Sequence, residues 1–211
     1  MRRAECGPQS INGYLKGLFR MQQIVTLKGH EFSLRPMERA DEGGVLAFAN
    51  ALPAHDLLFL QRDITNPKVV EAWIEATEAG SFTTLLAESE GSIAGCIALY
   101  TDPLSWSPHV GELRVLVADE VRKHGLGRWL VEQGFRIALD KGLAKLTARM
   151  TIDQKAAITV FEELGFRGEA LLKDQVQGPD GAMHDLVVLA CDVEAVTARL
   201  EAYGIGENGE A

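Results

Sequence analysis

The stretch ELRVLVADEVRKHGLGRWLVEQGFRIALDK, residues 112–141, decides how this chain folds. It begins with a β-branched run, passes through a charged turn that ends in HGLG, and continues as an apolar helical pattern. Where a strand turns through glycines into a helix, free backbone N–H groups and the positive end of the helix dipole lie together. A phosphate can bind at such a helix N-terminus. The stretch therefore predicts an anion site.

Composition limits the classes of partner. The chain has 211 residues, of which 46% are hydrophobic, so one globular domain is expected. The net charge is −9 and no block of basic residues is present, which argues against DNA or RNA. No apolar run has the length of a membrane span, and Arg2 and Arg3 are not followed by the apolar core of a signal peptide. We expect a soluble, cytoplasmic protein that binds neither nucleic acid nor a membrane.

Cysteine and histidine spacing predicts no metal site. Cys6, Cys96 and Cys191 are odd in number and far apart, which argues against a disulfide framework or a zinc site. The histidines at positions 55, 124 and 184 have no paired spacing such as H-E-x-x-H, and we predict isolated surface side chains.

The two ends of the chain are predicted to lie outside the folded domain. Residues 1–20 show no sustained period and are interpreted as an extension, although their excess of basic residues also fits an organelle-targeting segment. The domain is expected at 21–203, with a polar tail at 204–211.

Upstream of the opening stretch, the pattern predicts one strand, two helices and a hairpin. A strand is expected at 31–37, and Asp41 is expected to cap a helix that ends near Ala51. Asn66, followed by Pro67, marks the start of a second helix. Alternating runs on either side of a Ser-Glu-Gly turn then predict an antiparallel hairpin.

Downstream, alternation at 143–150 predicts a strand, so that the opening strand and helix become part of a right-handed parallel crossover. Asp153 is expected to begin an amphipathic helix that Gly165 ends. A hairpin made by 168–174 and 183–192 follows, and 194–203 is predicted as a short closing helix.

Two segments carry a family resemblance. RKHGLG, residues 122–127, matches the (Gln/Arg)-x-x-Gly-x-(Gly/Ala) signature of the Gcn5-related N-acetyltransferase (GNAT) superfamily. QKAAITVFEELGF, residues 154–166, is similar to that family's Asn-x-x-Ala-x-x-x-Tyr-x-x-x-Gly-Phe segment. The resemblance covers roughly 31–192. It implies an α/β fold of the α+β type, with a mixed, mostly antiparallel sheet of six to seven strands, flanking helices and one parallel βαβ crossover.

The resemblance also implies acetyl-CoA as cosubstrate, with its pyrophosphate on the glycine turn and its pantetheine arm paired along the opening strand. Glycines let the backbone wrap a phosphate closely, and nearby cations add charge. The implied cofactor-binding residues are Val115, Leu116, Val117, Arg122, Lys123, His124, Gly125, Leu126, Gly127, Arg128, Gln154, Ala157 and Phe161.

Acetyl transfer to an amine needs a base, a polarised carbonyl and a proton for the departing thiolate. Glu112, at the start of the opening strand, is the implied general base. It is equally compatible with a structural pair to Arg114, and a base acting through water is a further alternative. Phe161 stands where many members of the family have a proton-donating tyrosine. Tyr100 and His109 are the substitutes that the sequence offers.

Three functions are compatible with these residues. The first is an acetyl-CoA-dependent N-acetyltransferase in which a primary amine of a small molecule or protein attacks directly in a ternary complex. The second is an acyl-CoA-binding regulatory module without efficient transfer, because Phe161 has no proton to give. The third is an acyltransferase that uses a longer acyl-CoA. The acceptor amine has no sequence signature, and the oligomeric state is open, with a homodimer among the alternatives.

Overall fold

One mixed sheet organises the protein. The computed structural model describes residues 23–202. Within that range the sheet has eight strands in the order β1-β2-β3-β4-β5-β6-β8-β7, and only the β5–β6 neighbours are parallel. The mixed, mostly antiparallel fold with one parallel crossover is therefore confirmed. The strands are β1 (Gln23–Leu27), β2 (His30–Pro36), β3 (Phe82–Ser89), β4 (Ser92–Tyr100), β5 (Val110–Val117), β6 (Lys145–Thr151), β7 (Arg167–Gln177) and β8 (Met183–Asp192).

Five helices accompany the sheet within the described range. They are α1 (Glu42–Ala51), α2 (Pro67–Glu78), α3 (Leu126–Asp140), α4 (Lys155–Glu163) and α5 (Val193–Ala202). The last of these corresponds to the predicted closing helix. None of the helices within 23–202 has the length and apolar character needed to cross a bilayer. The predictions for residues 1–20 and 204–211 fall outside the described residues.

The sheet separates two hydrophobic cores, and β5 contributes to both. Leu113 lies in the core beneath α3, and Val115 and Val117 pack against the same core. Leu116 belongs to the other core, beneath α1 and α2. This alternation follows from the two-residue period of a strand. Consequently β5 presents one face to each layer of helices.

A glycine in α3 sets the close approach of that helix to the sheet. A Cβ atom at Gly134 would lie 2.6 Å from Ile97 Cδ1 and 2.8 Å from Leu113 Cδ2. Because core side chains are close-packed, even one added methyl group at this position would force α3 outward. Gly134 therefore fixes the position of α3, and with it the turn that precedes the helix.

The sheet has one strand more than the upper limit of the prediction. The additional strand is β1, which pairs with β2 from Gln23↔Leu34 to Leu27↔His30. It is short and lies at the sheet edge, and Ile24 is 64% exposed. Because this edge strand leaves an apolar side chain in solvent, its pattern of apolar residues does not match a buried face, and the sequence gives little indication of a strand.

Of three predicted helix starts, one is wrong, one is confirmed in position only and one is confirmed in full. Asp41 stands at the N-cap position of α1 as predicted, but its carboxylate makes no capping hydrogen bond to that helix and instead accepts two from Arg35, at 2.7 and 2.8 Å. Helix α4 begins at Lys155 and not at Asp153. Asn66 caps α2 as predicted, because its Oδ1 accepts a hydrogen bond from Lys68 N at 3.0 Å.

Candidate active site

A cleft opens where β5 and β6 stop pairing. Their parallel ladder runs from Val110↔Lys145 to Leu113↔Ala148 and ends there, although β5 continues to Val117 and β6 to Thr151. Each strand stays bonded on its other side, β5 to β4 and β6 to β8. The unpaired halves therefore diverge while both remain rigid. A cavity of about 630 Å³, which we call the cleft cavity, occupies this place.

The structure brings most of the predicted cofactor-binding residues together around the cleft cavity. Of the thirteen predicted positions, only His124 is absent from its lining. The ring of His124 instead packs on His30, with centroids 4.0 Å apart. The lining includes Val115, Leu116, Val117, Arg122, Lys123, Gly125, Leu126, Gly127, Arg128, Gln154, Ala157 and Phe161.

The glycine turn at one end of the cleft cavity has a left-handed backbone. Gly125 is the N-cap residue of α3 and has φ +96°, a conformation that favours glycine. A Cβ atom at Gly127 would make only an ordinary contact, 3.6 Å from Val117 Cγ2. Lys123 also has a positive φ, and its carbonyl accepts a hydrogen bond from Lys28 Nζ at 2.8 Å. The β1–β2 turn thus supports the glycine turn.

Two of the cations near the turn are already neutralised. Arg122 pairs with Asp56 and with Asp119, each at 2.6 Å. Arg128 pairs with Glu163 at 2.5 Å, and Glu132 lies 3.4 Å away.

Lysine charge remains available at the same place. Lys123 and Lys155 both line the cleft cavity, and neither ammonium group has an ion-pair partner among residues 23–202. With the two arginines paired, these lysines and the free N–H groups of α3 are the groups that an anion would meet.

A second cavity lies on the other face of β5, between α2 and the sheet. This helix-side cavity has a volume of about 300 Å³. Its wall is largely apolar and aromatic, with Arg62 and Arg114 as its charged members. Leu116 lines both cavities. The two spaces therefore meet at one residue of β5.

Glu112 connects the two cavities through its ion pairs. Arg114 Nε donates a hydrogen bond to its carboxylate at 2.8 Å, and Arg149 Nη2 lies 3.6 Å from the other oxygen. Arg114 lines the helix-side cavity and Arg149 lines the cleft cavity. The Glu112 side chain is only 11% exposed and does not itself line either cavity. The predicted pairing with Arg114 is present, and proton transfer by Glu112 remains a proposal.

The structure places the two candidate proton donors, Tyr100 and His109, apart from Phe161. Phe161 lines the cleft cavity, and its ring contacts Phe166 with centroids 4.9 Å apart. Tyr100 lines the helix-side cavity and lies opposite Glu112 in the β4–β5 ladder. His109 is exposed and precedes β5, at the end of the strand remote from the glycine turn. This position removes His109 from the candidates.

The prediction of isolated surface histidines is wrong for all three positions, since His124 packs on His30 and the other two lie in a second group. His55 Nε2 lies 2.9 Å from Asp153 Oδ2, and the ring of His184 contacts that of His55 with centroids 5.1 Å apart. The three residues come from separate segments of the chain. Spacing along the sequence therefore gave no signal that they would meet.

Sequence reasoning also missed several residues that line the cleft cavity. Arg149 lies on the polar face of β6, as the alternation of that strand predicts, but the sequence did not predict that Glu112 would be its partner. Lys28 comes from the turn between β1 and β2, which is distant in the sequence and carries no motif.

Comparison with known proteins places this geometry among acetyltransferases. A family model described as "Acetyltransferase (GNAT) family" matches residues 47–166. A Bacillus subtilis (strain 168) protein named "Putative phosphinothricin acetyltransferase YwnH" is 23% identical over 160 residues, covering 74% of this chain and 96% of that protein.

Solved structures share the fold. RimJ of Mycobacterium smegmatis, in complex with CoA-disulfide, is 18% identical with a TM-score of 0.69, covering 87% of this chain and 94% of the other. The yncA protein of Salmonella typhimurium, with its cofactor acetyl-CoA, is 21% identical with a TM-score of 0.66, covering 77% and 94%.

Proposed function

The chain belongs to the acetyltransferase (GNAT) family, and we propose that it is an acetyl-CoA-dependent N-acetyltransferase in which a primary amine attacks the thioester directly. One observation carries this proposal: the cleft cavity, at the open edge of β5, and the helix-side cavity, on the α2 face of that strand, share Leu116. A donor in one cavity and an acceptor in the other would hold their reacting atoms beside the same residue, which favours a single ternary complex.

The residues of the cleft cavity fit acetyl-CoA. Gly125 and the N-terminus of α3, with Lys123 and Lys155 nearby, suit a pyrophosphate. Beyond Leu113, β5 has no strand beside it on the β6 side, so its main chain is free to pair with the amides of a pantetheine arm. The coenzyme-bound yncA and RimJ structures support this assignment. When bound, acetyl-CoA supplies the activated acetyl group.

We assign Glu112 as the general base that removes a proton from the acceptor amine. An acceptor enters the helix-side cavity as an ammonium and must lose a proton before nitrogen can attack. The Glu112 carboxylate is buried, is bonded to Arg114 and lines neither cavity, so in this proposal the proton reaches it through a water molecule. The exchange balances: the ammonium gives one proton to Glu112, which returns it to solvent, a C–N bond forms and the C–S bond breaks, and the nitrogen loses a second proton to water as the thiolate gains one.

Carbonyl polarisation and protonation of the thiolate complete the reaction. We assign polarisation to the main-chain N–H groups near Val117, in the unpaired half of β5. Phe161 has no acidic hydrogen, so protonation of the thiolate is assigned to water. A thiolate near its ordinary pKa leaves without an acid more readily than an alkoxide does.

The acceptor is a small amine in this proposal. The helix-side cavity of about 300 Å³ is enclosed by apolar and aromatic groups, with Arg62 and Arg114 at its wall. The name of the Bacillus subtilis relative points to a small amino compound as acceptor. A protein terminus and a longer acyl group are the competing occupants of the same cavity.

A substrate screen tests the proposal against the regulatory module. Free thiol release from acetyl-CoA is followed with a broad panel of amines, for the wild type, Glu112→Gln and the control Glu78→Gln. Glu78 is likewise ion-paired to an arginine, Arg39, but lies at neither cavity. Glu112→Gln should lower kcat by about 100-fold, a typical contribution of general base catalysis, and the control should match the wild type.

Two outcomes would contradict this proposal. If the wild type binds acetyl-CoA but no amine releases thiol, the binding module is favoured. If Glu112→Gln retains the full rate across pH, the base is assigned to the wrong residue. Repeating the screen with longer acyl-CoAs tests the third function, an acyltransferase that uses a longer acyl group.

The protein's own buried thiols do not disturb the assay of free thiol. Burial raises the pKa of Cys96 and of Cys191 to about 12, so these thiols contribute little background.

A further inference from the structure

Two histidines and an aspartate converge beside the cleft cavity. His55 lies in the 3-10 turn Ala54–Leu57 between α1 and α2, Asp153 lies between β6 and α4, and His184 lies at the start of β8. One ligand atom from each residue can be chosen so that all three lie within 4.8 Å of one another. We refer to these three residues as the His-Asp-His cluster.

We infer that the His-Asp-His cluster binds a divalent transition-metal ion such as Zn²⁺. Bonds from zinc to imidazole nitrogen and carboxylate oxygen are about 2.0–2.2 Å long, which places neighbouring ligand atoms roughly 3.3 Å apart in a tetrahedron. The present spacings, from 2.9 Å for the His55–Asp153 contact up to 4.8 Å, bracket that value. Small side-chain rotations would therefore suffice to bring the three atoms onto one ion.

The types of donor select the class of metal. Imidazole nitrogen suits zinc, copper, nickel and iron, whereas Mg²⁺ and Ca²⁺ take oxygen ligands. Two imidazoles with one carboxylate leave at least one coordination position for water, as in zinc sites that are not purely structural. On binding, the metal would take the place of the contact between His55 Nε2 and Asp153 Oδ2, so that both groups serve as ligands.

The surroundings of His55 support the cluster as a set of ligands. The Thr151 hydroxyl lies 3.4 Å from His55 Nε2, the atom that also contacts Asp153 Oδ2. Thr151 is fully buried at the end of β6, so its hydroxyl is a fixed partner that can orient the imidazole. Among residues 23–202 no lysine or arginine pairs with Asp153, and its carboxylate contacts the His55 imidazole.

The third residue distinguishes a metal site from a simple pair. A His55–Asp153 ion pair would be complete with two members. His184 nevertheless comes from a different strand and places its ring edge-on to His55, at 5.1 Å between centroids. Two imidazoles this close together repel each other when both are protonated, whereas a metal ion bound between them and the carboxylate would make all three ligand contacts favourable.

Metal titration of the full chain tests this inference without reference to catalysis. Protein stripped with a chelator is titrated with Zn²⁺ by calorimetry and with Co²⁺ by visible absorption, which reports the ligand field. The variants are His55→Asn, His184→Asn and the double variant, and the control is His109→Asn, which alters an exposed histidine outside the cluster.

The wild type and the control should bind one more equivalent of Zn²⁺ than the double variant. Each single variant should weaken binding by at least about 100-fold, since even outer partners of a ligand contribute 10- to 100-fold. Equal stoichiometry and affinity in the wild type and the double variant would overturn the inference. Circular dichroism checks that the variants fold, and Asp153→Asn gives the same comparison if the double variant does not.

Discussion

The guanidinium group of Arg122 lies 2.6 Å from the carboxylate of Asp56, although 66 residues separate them in the chain. Arg122 also pairs with Asp119 and donates to the carbonyl of Val117. The arginine of the glycine-turn motif thus joins the end of β5 to the connection between α1 and α2. We infer that it organises the turn, while Lys123 and Lys155 supply charge to the anion.

A double-mutant cycle measures that connection. Arg122→Gln and Asp56→Asn should each lower the free energy of unfolding, and their coupling should be about 0.5–1 kcal/mol, because the pair is partly exposed. Urea denaturation of the four proteins gives the coupling directly. A phosphate-binding role for Arg122 predicts a different result: Asp56→Asn would then release the arginine and raise the affinity for acetyl-CoA.

Gly125 is required for its backbone conformation rather than for space. Nothing lies within 4 Å of a Cβ atom built at this position, yet φ is +96°. Gly125→Ala should therefore destabilise the protein by about 1–2 kcal/mol through strain in the left-handed region. The matched control is Gly43→Ala in α1, where a Cβ atom also meets nothing and φ is not positive.

The control should be neutral or slightly stabilising, because alanine favours a helix by up to about 1 kcal/mol over glycine. Both variants are compared with the wild type by chemical denaturation. Equal effects at the two glycines would show that backbone strain at the turn is not important.

The parts of this structure that are local in sequence were predictable, and the parts that depend on contact between distant segments were not. The glycine turn combines a strand, a helix and a left-handed residue within one short stretch, so the local sequence is enough to predict it. Asn66 followed by Pro67 is a local cap signal of the same kind, and it was confirmed.

Asp41 shows why other local signals fail. An aspartate before a helix is a common cap, but Arg35 on the preceding strand binds the same carboxylate through two nitrogens. The charge-assisted pair is the stronger interaction, so the cap is lost. The contacts of Glu112 with Arg149 and of His55 with Asp153 could not be predicted either, because in each pair the two residues come from distant segments.

The Arg35–Asp41 pair predicts a loss of stability in acid. Hydrogen bonding to Arg35 is the main cause that holds the pKa of Asp41 below its ordinary value of 3.8. A carboxyl group whose pKa is lower in the folded state stabilises the fold above the unfolded pKa, and this contribution disappears as the pH falls through the folded value.

Unfolding free energies measured between about pH 2 and pH 7 test this linkage. Below about pH 4 the wild type should lose stability more steeply than Asp41→Asn, which has no proton to bind at that position. Arg35→Gln should flatten the dependence in the same way, since it removes the group that lowers the pKa. Parallel curves for the wild type and both variants would exclude Asp41 as a source of acid sensitivity.

In the proposed mechanism, Phe161 has no proton to give, and protonation of the departing thiolate falls to water. Its ring lines the cleft cavity and is otherwise buried against Phe166. Phe161→Tyr would add a hydroxyl donor while keeping the ring, and it should raise kcat by up to about 10-fold with little change in KM, because a positioned acid acts mainly in the transition state. Phe161→Leu, which removes the ring and adds no donor, serves as the control and should not raise kcat. An unchanged kcat in Phe161→Tyr, together with unchanged coenzyme affinity, would mean that thiolate departure does not limit the rate, and the absence of a tyrosine would then carry no catalytic cost.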